Sequence, residues 1–230
     1  MLKVILSILF PKFCEGCNKF GEKICKTCAD KISILEHQEC LMCSHPNTDG
    51  YTHKICKISY APVQTFSMFK YSWIIKSLVR KGKYRGNFKS YLTIIELFNQ
   101  KSNYLNALEN CILVPIPISK KRLQKRGYNQ CEKICNYLET FIPHSKTINL
   151  LKRVKETKSQ YSLKREDRMV NIKNAFVIDN KFANQVENKR VVIIDDISTT
   201  GSTLREACKI INQANPKEIY CLTLSKDTIY

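Results

Sequence analysis

Two adjacent carboxylates stand just before a short run of hydroxyl side chains late in the chain. The carboxylates are Asp195 and Asp196, and the run that follows contains Thr199, Thr200, Gly201, Ser202 and Thr203. Backbone amides and hydroxyls in a loop that opens onto a helix bind anions, and a glycine lets the backbone approach a phosphate closely. Carboxylate oxygens bind ribose hydroxyls or a hard cation such as Mg²⁺. The combination predicts a site for a phosphorylated sugar with magnesium.

A strand-to-helix turn without a ligand is the alternative interpretation of this stretch. Two consecutive carboxylates at the end of a buried strand carry a desolvation cost that a simple turn does not require. The stretch is not a P-loop, because it lacks the pattern Gly-x-x-x-x-Gly-Lys-Ser/Thr. We therefore expect a ligand here, with Asp195 and Asp196 as the catalytic carboxylates.

Seven of the twelve cysteines lie within the first 60 residues, and six of them form three Cys-x-x-Cys pairs. Such a pair presents two thiolates to one ion, and four ligands complete a tetrahedral structural zinc site. The predicted metal ligands are Cys14, Cys17, Cys25 and Cys28 in one set and Cys40, Cys43, His53 and Cys56 in the other. His45 is a rival ligand, and an ion shared by the first and third pairs is a further alternative. We expect one or two structural zinc ions.

The net charge of +18 is concentrated in residues 61–190, which hold 26 basic and 9 acidic residues. Such an excess favours a polyanionic partner, whereas a solvated lysine-rich surface is the alternative. Five basic residues of a predicted loop at 120–126 are candidates for binding pyrophosphate or DNA phosphates: Lys120, Lys121, Arg122, Lys125 and Arg126. A second basic run at 152–168 lacks helical periodicity and contains Tyr161, a platform for stacking a base.

Hydrophobic patterns place these residues on alternating strands and helices. Branched apolar residues at 191–194 indicate a strand buried on both faces, with helical spacing at 204–214. Further strands are predicted at 66–71 and 112–117, and further helices at 28–35, 73–81, 91–100 and 130–137. Alternation from about residue 110 onward predicts a doubly wound α/β sheet, whose ligands bind outside the carboxyl ends of the strands.

The sequence contains no pattern typical of a secretory signal or a membrane span. The apolar patch at 2–10 is short and lacks a small-residue cleavage site, and no run approaches the ~18 apolar residues of a spanning helix. The patch is expected to form a short helix on the zinc region. The many cysteines are expected to be reduced thiols of a cytoplasmic protein.

Two stretches of the chain resemble known sequence signatures. Residues 191–203 resemble the 5-phosphoribosyl-1-pyrophosphate (PRPP) signature of type I phosphoribosyltransferases. The element Arg126-Gly127-Tyr128-Asn129-Gln130 resembles a motif of one branch of these proteins, the ComF/GntX family, and the stretch 160–171 and the cysteine pairs are similar to it as well. The chain departs from the family pattern at its last zinc pair, where His53-x-x-Cys56 stands in place of two cysteines.

This resemblance implies a type I phosphoribosyltransferase-like fold with a doubly wound, mostly parallel sheet in residues 61–230. It also implies a small zinc module in residues 1–60 and a mobile basic loop near 152–170. In such a site Asp195 and Asp196 hold the ribose hydroxyls of Mg²⁺-PRPP, the hydroxyl run binds the 5-phosphate, and residues 120–126 bind pyrophosphate.

Members of the family are associated with natural transformation. The expected function is therefore PRPP binding together with the handling of incoming single-stranded DNA in the cytoplasm, with other DNA-uptake proteins as further partners. The alternatives are an active phosphoribosyltransferase with an unknown acceptor and a GntX-like role in nutrient use.

Overall fold

A computed structural model describes residues 13–84, 87–156 and 171–227 of the chain. The expected helix at 2–10 and the part of the basic run at 157–168, which includes Tyr161, lie outside these ranges. None of the helices within them is long and apolar enough to cross a bilayer.

The regular elements of the described ranges are six α-helices and nine strands. The helices are Lys26–Asp30 (α1), Trp73–Tyr84 (α2), Lys89–Lys101 (α3), Lys120–Arg126 (α4), Gln130–Leu138 (α5) and Ser202–Ile211 (α6). The strands are Gln38–Glu39 (β1), Pro46–Asn47 (β2), Gln64–Lys70 (β3), Cys111–Pro115 (β4), Lys146–Thr147 (β5), Leu151–Arg153 (β6), Phe176–Ile178 (β7), Arg190–Ser198 (β8) and Glu218–Lys226 (β9).

One parallel sheet organises the fold, with strand order β3-β9-β8-β4-β5. Strand β8 lies between β4 and β9, so its carboxyl end is flanked by the ends of both neighbours. The short ribbons β1-β2 and β6-β7 are antiparallel. The prediction of a doubly wound, mostly parallel α/β sheet is confirmed.

Each face of the sheet carries its own hydrophobic core. Val192 and Ile194 of β8 belong to the core shared with α2, α3 and α5. Val191 and Ile193 point to the opposite face and pack with α6. Because side chains alternate across a strand, covering both faces requires the continuous apolar run that the sequence contains at 191–194.

The first group of cysteines is part of the main core rather than a separate surface feature. Cys14 and Cys28 are buried and belong to the same hydrophobic cluster as Ile74 and Ile75 of α2. The division of the chain near residue 60 stays a prediction, and the two regions share apolar packing.

Three elements differ from their sequence-based expectations. Strand β8 continues to Ser198, so the two carboxylates lie inside the strand rather than after it, because parallel pairing with β9 extends to the register pair Ser198 and Lys226. The basic stretch 120–126 is helix α4 rather than a loop, and Gly127 ends it in the left-handed conformation with φ 78°. Helix α1 ends at Asp30, well short of the predicted residue 35.

The second glycine that shapes the fold is Gly82, which lies inside α2 instead of ending it. A Cβ at this position would lie 2.3 Å from Cε2 of Tyr91 on α3, so the glycine lets the two helices approach closely. We expect Gly82→Ala to destabilise the protein by about 1–2 kcal/mol, because an overpacking cost of about 2–3 kcal/mol outweighs the roughly 1 kcal/mol gained in helix propensity. Urea unfolding measures this change, and the penalty should shrink in a Tyr91→Leu background. A stabilised Gly82→Ala variant would contradict this account.

Candidate functional site

The candidate site lies at the carboxyl end of β8, where the chain passes into α6. Asp195 and Asp196 lie near the carboxyl end of β8, and their side chains alternate across the strand. Asp195 is partly exposed, and Asp196 is almost fully buried. Burial and the neighbouring Asp196 carboxylate both raise the pKa of the Asp195 carboxyl. The pair therefore needs cationic or hydrogen-bonding partners to hold two negative charges.

Cys131 is one such partner, because its Sγ donates a hydrogen bond to Oδ1 of Asp195 over 3.6 Å. Burial and the carboxylate of Asp195 raise the pKa of the Cys131 thiol, so the thiol stays protonated and remains a donor. The backbone N–H of Asp196 donates to the same oxygen over 2.8 Å. Asp195 is thus held in place by its neighbours on β8 and α5.

Lys83 is a functional candidate that sequence reasoning missed. Its Nζ lies 2.9 Å from Oδ2 of Asp196, and the side chains are 21% and 6% exposed. Lys83 reaches the site because α2 continues past Gly82, whereas the sequence pattern predicted an end near that glycine. The available signal was the basic and aromatic pair Lys83-Tyr84 directly after the predicted helix 73–81.

We call residues 198–203 the hydroxyl loop. Gly201 is the N-cap of α6 with φ 71°, a left-handed conformation that side chains rarely adopt. Thr200 donates through its Oγ1 to Oγ of Ser202 over 3.1 Å, so the predicted phosphate-binding hydroxyls are close together. Thr199 is the partly exposed residue before them, and Thr203 lies in the first turn of the ten-residue helix α6. The loop has the backbone and side-chain chemistry of an anion site.

Helix α4 separates the five predicted basic residues into two groups. Arg122 and Arg126 are spaced i, i+4 and are partly buried, whereas Lys120, Lys121 and Lys125 are exposed. Burial lowers the pKa of the Arg122 guanidinium, Arg126 lowers it further, and Glu156 and Asp196 oppose the shift. Arg122 is therefore close enough to Asp196 to interact with it electrostatically, whereas the three lysines are exposed to solvent.

Arg153, at the end of β6, joins the arginines of α4. Burial and the charge of Arg122 lower the pKa of its guanidinium to about 10, opposed by Asp195 and Glu156. Its Nη1 donates to the carbonyl of Pro117 over 3.4 Å, and the guanidinium lies 5.5 Å from the ring centroid of Phe176. The sequence pattern placed Arg153 in the basic run at 152–168 but did not single it out as a site residue.

Each residue of the element 126–130 has a distinct structural task. Arg126 donates to Gln130 over 2.8 Å and lies over the Tyr84 ring, and Gly127 ends α4. Tyr128 donates its hydroxyl to the carbonyl of Gly82. Asn129 caps α5 by accepting from the N–H of Cys131 over 3.1 Å, and it donates to the carbonyl of Ile116. The motif thus fixes α4, α5 and α2 around the carboxylates.

The structure brings together both predicted sets of zinc ligands. The ligand atoms within each set all lie within 4.8 Å of one another: Cys14, Cys17, Cys25 and Cys28 in the first cluster, and Cys40, Cys43, His53 and Cys56 in the second. His45 belongs to neither cluster, and its carbonyl accepts from the N–H of Cys40 instead. Four such donors fit structural zinc.

One thiol in each cluster has a pKa shifted in the direction that favours metal binding. Burial acts to raise the pKa of Cys14, but the amides of Cys25, Cys17 and Gly16 outweigh it and lower that pKa to about 6. Burial likewise opposes the amides around Cys40, whose pKa is also lowered to about 6. Each cluster therefore contains one thiol that readily ionises, and a thiolate is the form that binds zinc.

Fold and clusters together define a protein class, a phosphoribosyltransferase-type domain with an N-terminal double zinc ribbon. Residues 148–228 match the phosphoribosyl transferase domain family, and residues 5–58 match the double zinc ribbon domain family. The cysteine clusters and the ribbon match support structural zinc.

Three similar proteins narrow this class, two of them with similarity over most of the chain. Competence protein F of Haemophilus influenzae is 29% identical over 220 residues, covering 93% of this chain and 90% of that protein. Competence protein ComFC of Bacillus subtilis is 25% identical, covering 84% and 79% respectively. DNA utilization protein YhgH of Escherichia coli is 30% identical over 112 residues, 48% of each chain. These matches support the assignment of the chain to the ComF family.

Proposed function

We propose that this protein binds Mg²⁺-PRPP at the carboxyl end of β8 and handles incoming single-stranded DNA in the cytoplasm during natural transformation. The main support for the proposal is that negative and positive side chains interact electrostatically at the same site. Asp195 and Asp196 form one set, and the guanidinium groups of Arg122 and Arg153, which interact electrostatically with them, belong to the other. The hydroxyl loop begins two residues after Asp196.

A phosphorylated sugar with a pyrophosphate group matches this distribution of charge. The carboxylates would bind the ribose hydroxyls, directly or through water on Mg²⁺, and the hydroxyl loop would bind the 5-phosphate. The arginines Arg122, Arg126 and Arg153 would bind pyrophosphate with their planar forks. The donor set fits magnesium, because carboxylate oxygens are its preferred protein ligands, and the ion would supply charge neutralisation at the pyrophosphate.

The nucleic-acid part of the proposal is supported by the exposed basic side of α4. Lys120, Lys121 and Lys125 are exposed, and the Tyr84 ring beneath Arg126 is 63% exposed. Cations that track phosphates beside an exposed aromatic ring suit single-stranded DNA. The printed names of the relatives, two competence proteins and a DNA utilization protein, point in the same direction.

The experiment is fluorescence anisotropy with labelled oligothymidine over a salt series. The test variant replaces Lys120, Lys121 and Lys125 by Gln, and its matched control replaces three exposed lysines elsewhere, Lys189, Lys209 and Lys217. Loss of three phosphate contacts should reduce the slope of log affinity against log salt by about 2 in the test variant alone. Equal binding by the test variant and the control, or no binding by the unaltered protein at low salt, would overturn the DNA proposal.

Transfer of ribose 5-phosphate from PRPP to an acceptor is the second candidate function. The presence of both carboxylates and arginines at one site favours this function. Catalysis of such a transfer requires positioning and charge stabilisation rather than a covalent nucleophile. Pyrophosphate release that depends on an added nucleophile, and that disappears in Asp196→Asn, would support transfer. Binding without release would leave the protein as a binding module.

A further inference from the structure

The turn at residues 40–43, which carries two ligands of the second cluster and which we call the zinc knuckle, is in direct contact with the hydroxyl loop. Leu41 lies between the ligands Cys40 and Cys43, and it is buried against Gly201. A Cβ at Gly201 would lie 2.6 Å from Cδ1 of Leu41. The turn of the loop is therefore shaped by a residue of the zinc knuckle.

One arginine joins the knuckle to the loop by hydrogen bonds. Arg205 of α6 donates through Nη1 to the carbonyl of Leu41 over 2.5 Å and through Nη2 to the carbonyl of Thr200 over 2.8 Å. Its backbone N–H also donates to the carbonyl of Gly201 over 2.9 Å. Because the guanidinium is a rigid planar fork, the two carbonyls are held at a fixed separation.

The strand that leads into the knuckle is itself fixed to the sheet. The side-chain amide of Gln38 bonds the backbone of Ser67 on β3: its Oε1 accepts from the Ser67 N–H over 2.9 Å, and its Nε2 donates to the Ser67 carbonyl over 3.0 Å. Glu39 forms an ion pair with Lys226, which is the register partner of Ser198 at the end of β8. The knuckle and the loop thus share one anchored corner of the sheet.

We propose that zinc in the second cluster positions the hydroxyl loop for anion binding, and that Arg205 is the positioning residue that couples the two. The inference rests on the proposed function and adds a regulatory partner to the same site. A knuckle of this size is ordered by its metal, so loss of zinc releases Leu41 and its carbonyl. The loop then samples other conformations. Its apparent affinity for Mg²⁺-PRPP falls in proportion to the fraction of molecules in which the loop has the binding conformation.

The coupling is reciprocal, because two ligands that favour the same conformation stabilise each other. Zinc in the second cluster raises the affinity of the loop for Mg²⁺-PRPP. Bound Mg²⁺-PRPP in turn slows the removal of this zinc by a chelator and leaves zinc in the first cluster unaffected.

The experiment compares Arg205→Gln, Arg205→Lys and the control Arg190→Gln in the full-length protein. Arg190 forms an ion pair with Glu218 at the amino ends of β8 and β9, away from the hydroxyl loop at their carboxyl ends. Hydrogen–deuterium exchange of the amides in residues 199–203, zinc content and Mg²⁺-PRPP affinity are measured on each. We expect Arg205→Gln to retain both zinc ions, to exchange about tenfold faster in the loop and to bind about tenfold more weakly. Arg205→Lys should show smaller changes in both loop exchange and Mg²⁺-PRPP affinity than Arg205→Gln. Arg190→Gln should show neither change.

Zinc removal provides a second and independent arm. His53→Ala removes a partly exposed ligand of the second cluster, and it should accelerate exchange of the same amides. Unchanged loop exchange in both Arg205→Gln and His53→Ala would overturn the coupling. Failure of the unaltered protein to bind Mg²⁺-PRPP would overturn the proposed function, whereas the exchange data would still decide the link between zinc and the loop.

Discussion

Replacing Asp196 by asparagine is expected to weaken Mg²⁺-PRPP binding by about a hundredfold while leaving the unliganded protein at least as stable. The loss corresponds to about 2.7 kcal/mol, within the range for one charge-assisted hydrogen bond. Stability should not fall, because the substitution removes repulsion between Asp196 and Asp195, and Lys83 at 21% exposure can reach water. A site whose charge opposes stability is typical of a ligand-binding role.

Thermal unfolding with and without Mg²⁺-PRPP measures both parts of this expectation. The ligand should raise the melting temperature of the unaltered protein and have little effect on Asp196→Asn, since the shift scales with ligand affinity. Glu218→Gln is the matched control, because Glu218 pairs with Arg190 at the other end of β8 and β9. A large ligand-induced shift that persists in Asp196→Asn would contradict the assigned role.

The second large effect is expected from the first zinc cluster, where Cys28→Ser should cost at least about 3 kcal/mol of stability and one zinc ion. Cys28 is buried in the main core beside Cys14, and its Sγ lies 2.8 Å from the position of a Cβ on Gly16. The serine would leave a buried hydroxyl among apolar groups and a cluster with three thiols. Metal binding here is therefore coupled to folding of the core.

The contrast with His53→Ala makes this expectation specific. His53 is a partly exposed ligand of the second cluster. The ligands of this cluster do not belong to the main hydrophobic core among the described residues. His53→Ala should also lose one zinc ion, but with a smaller decrease in the free energy of unfolding. Metal analysis and urea unfolding test both variants. Equal destabilisation, or two zinc ions retained in either variant, would contradict the account.

The sequence was sufficient to predict the elements with strong local signals. The apolar run at 191–194 predicted a strand buried on both faces, and the two cores confirm it. The cysteine spacing predicted two sets of four ligands, which the structure brings together. Such signals depend on local periodicity and ligand chemistry, both of which are visible in one chain.

The site residues that were missed depend on tertiary contacts. Lys83 is more than a hundred residues from Asp196 along the chain, and no local pattern reports their ion pair. Arg205 was assigned only to a helix. Its proposed role rests on a hydrogen bond to the carbonyl of Leu41, which is 164 residues away along the chain. Helix α4 was predicted as a loop because its charge dominated the interpretation, although Lys, Arg, Leu and Gln are all strong helix formers.

The measurement that tests the central claim most directly is isothermal titration of the full-length protein with PRPP in the presence and absence of Mg²⁺. The account predicts saturable binding of one PRPP per chain that requires Mg²⁺ and is lost in Asp196→Asn but retained in Glu218→Gln. No binding at millimolar PRPP, or binding that is indifferent to both Mg²⁺ and Asp196, would contradict a PRPP site at the carboxyl end of β8.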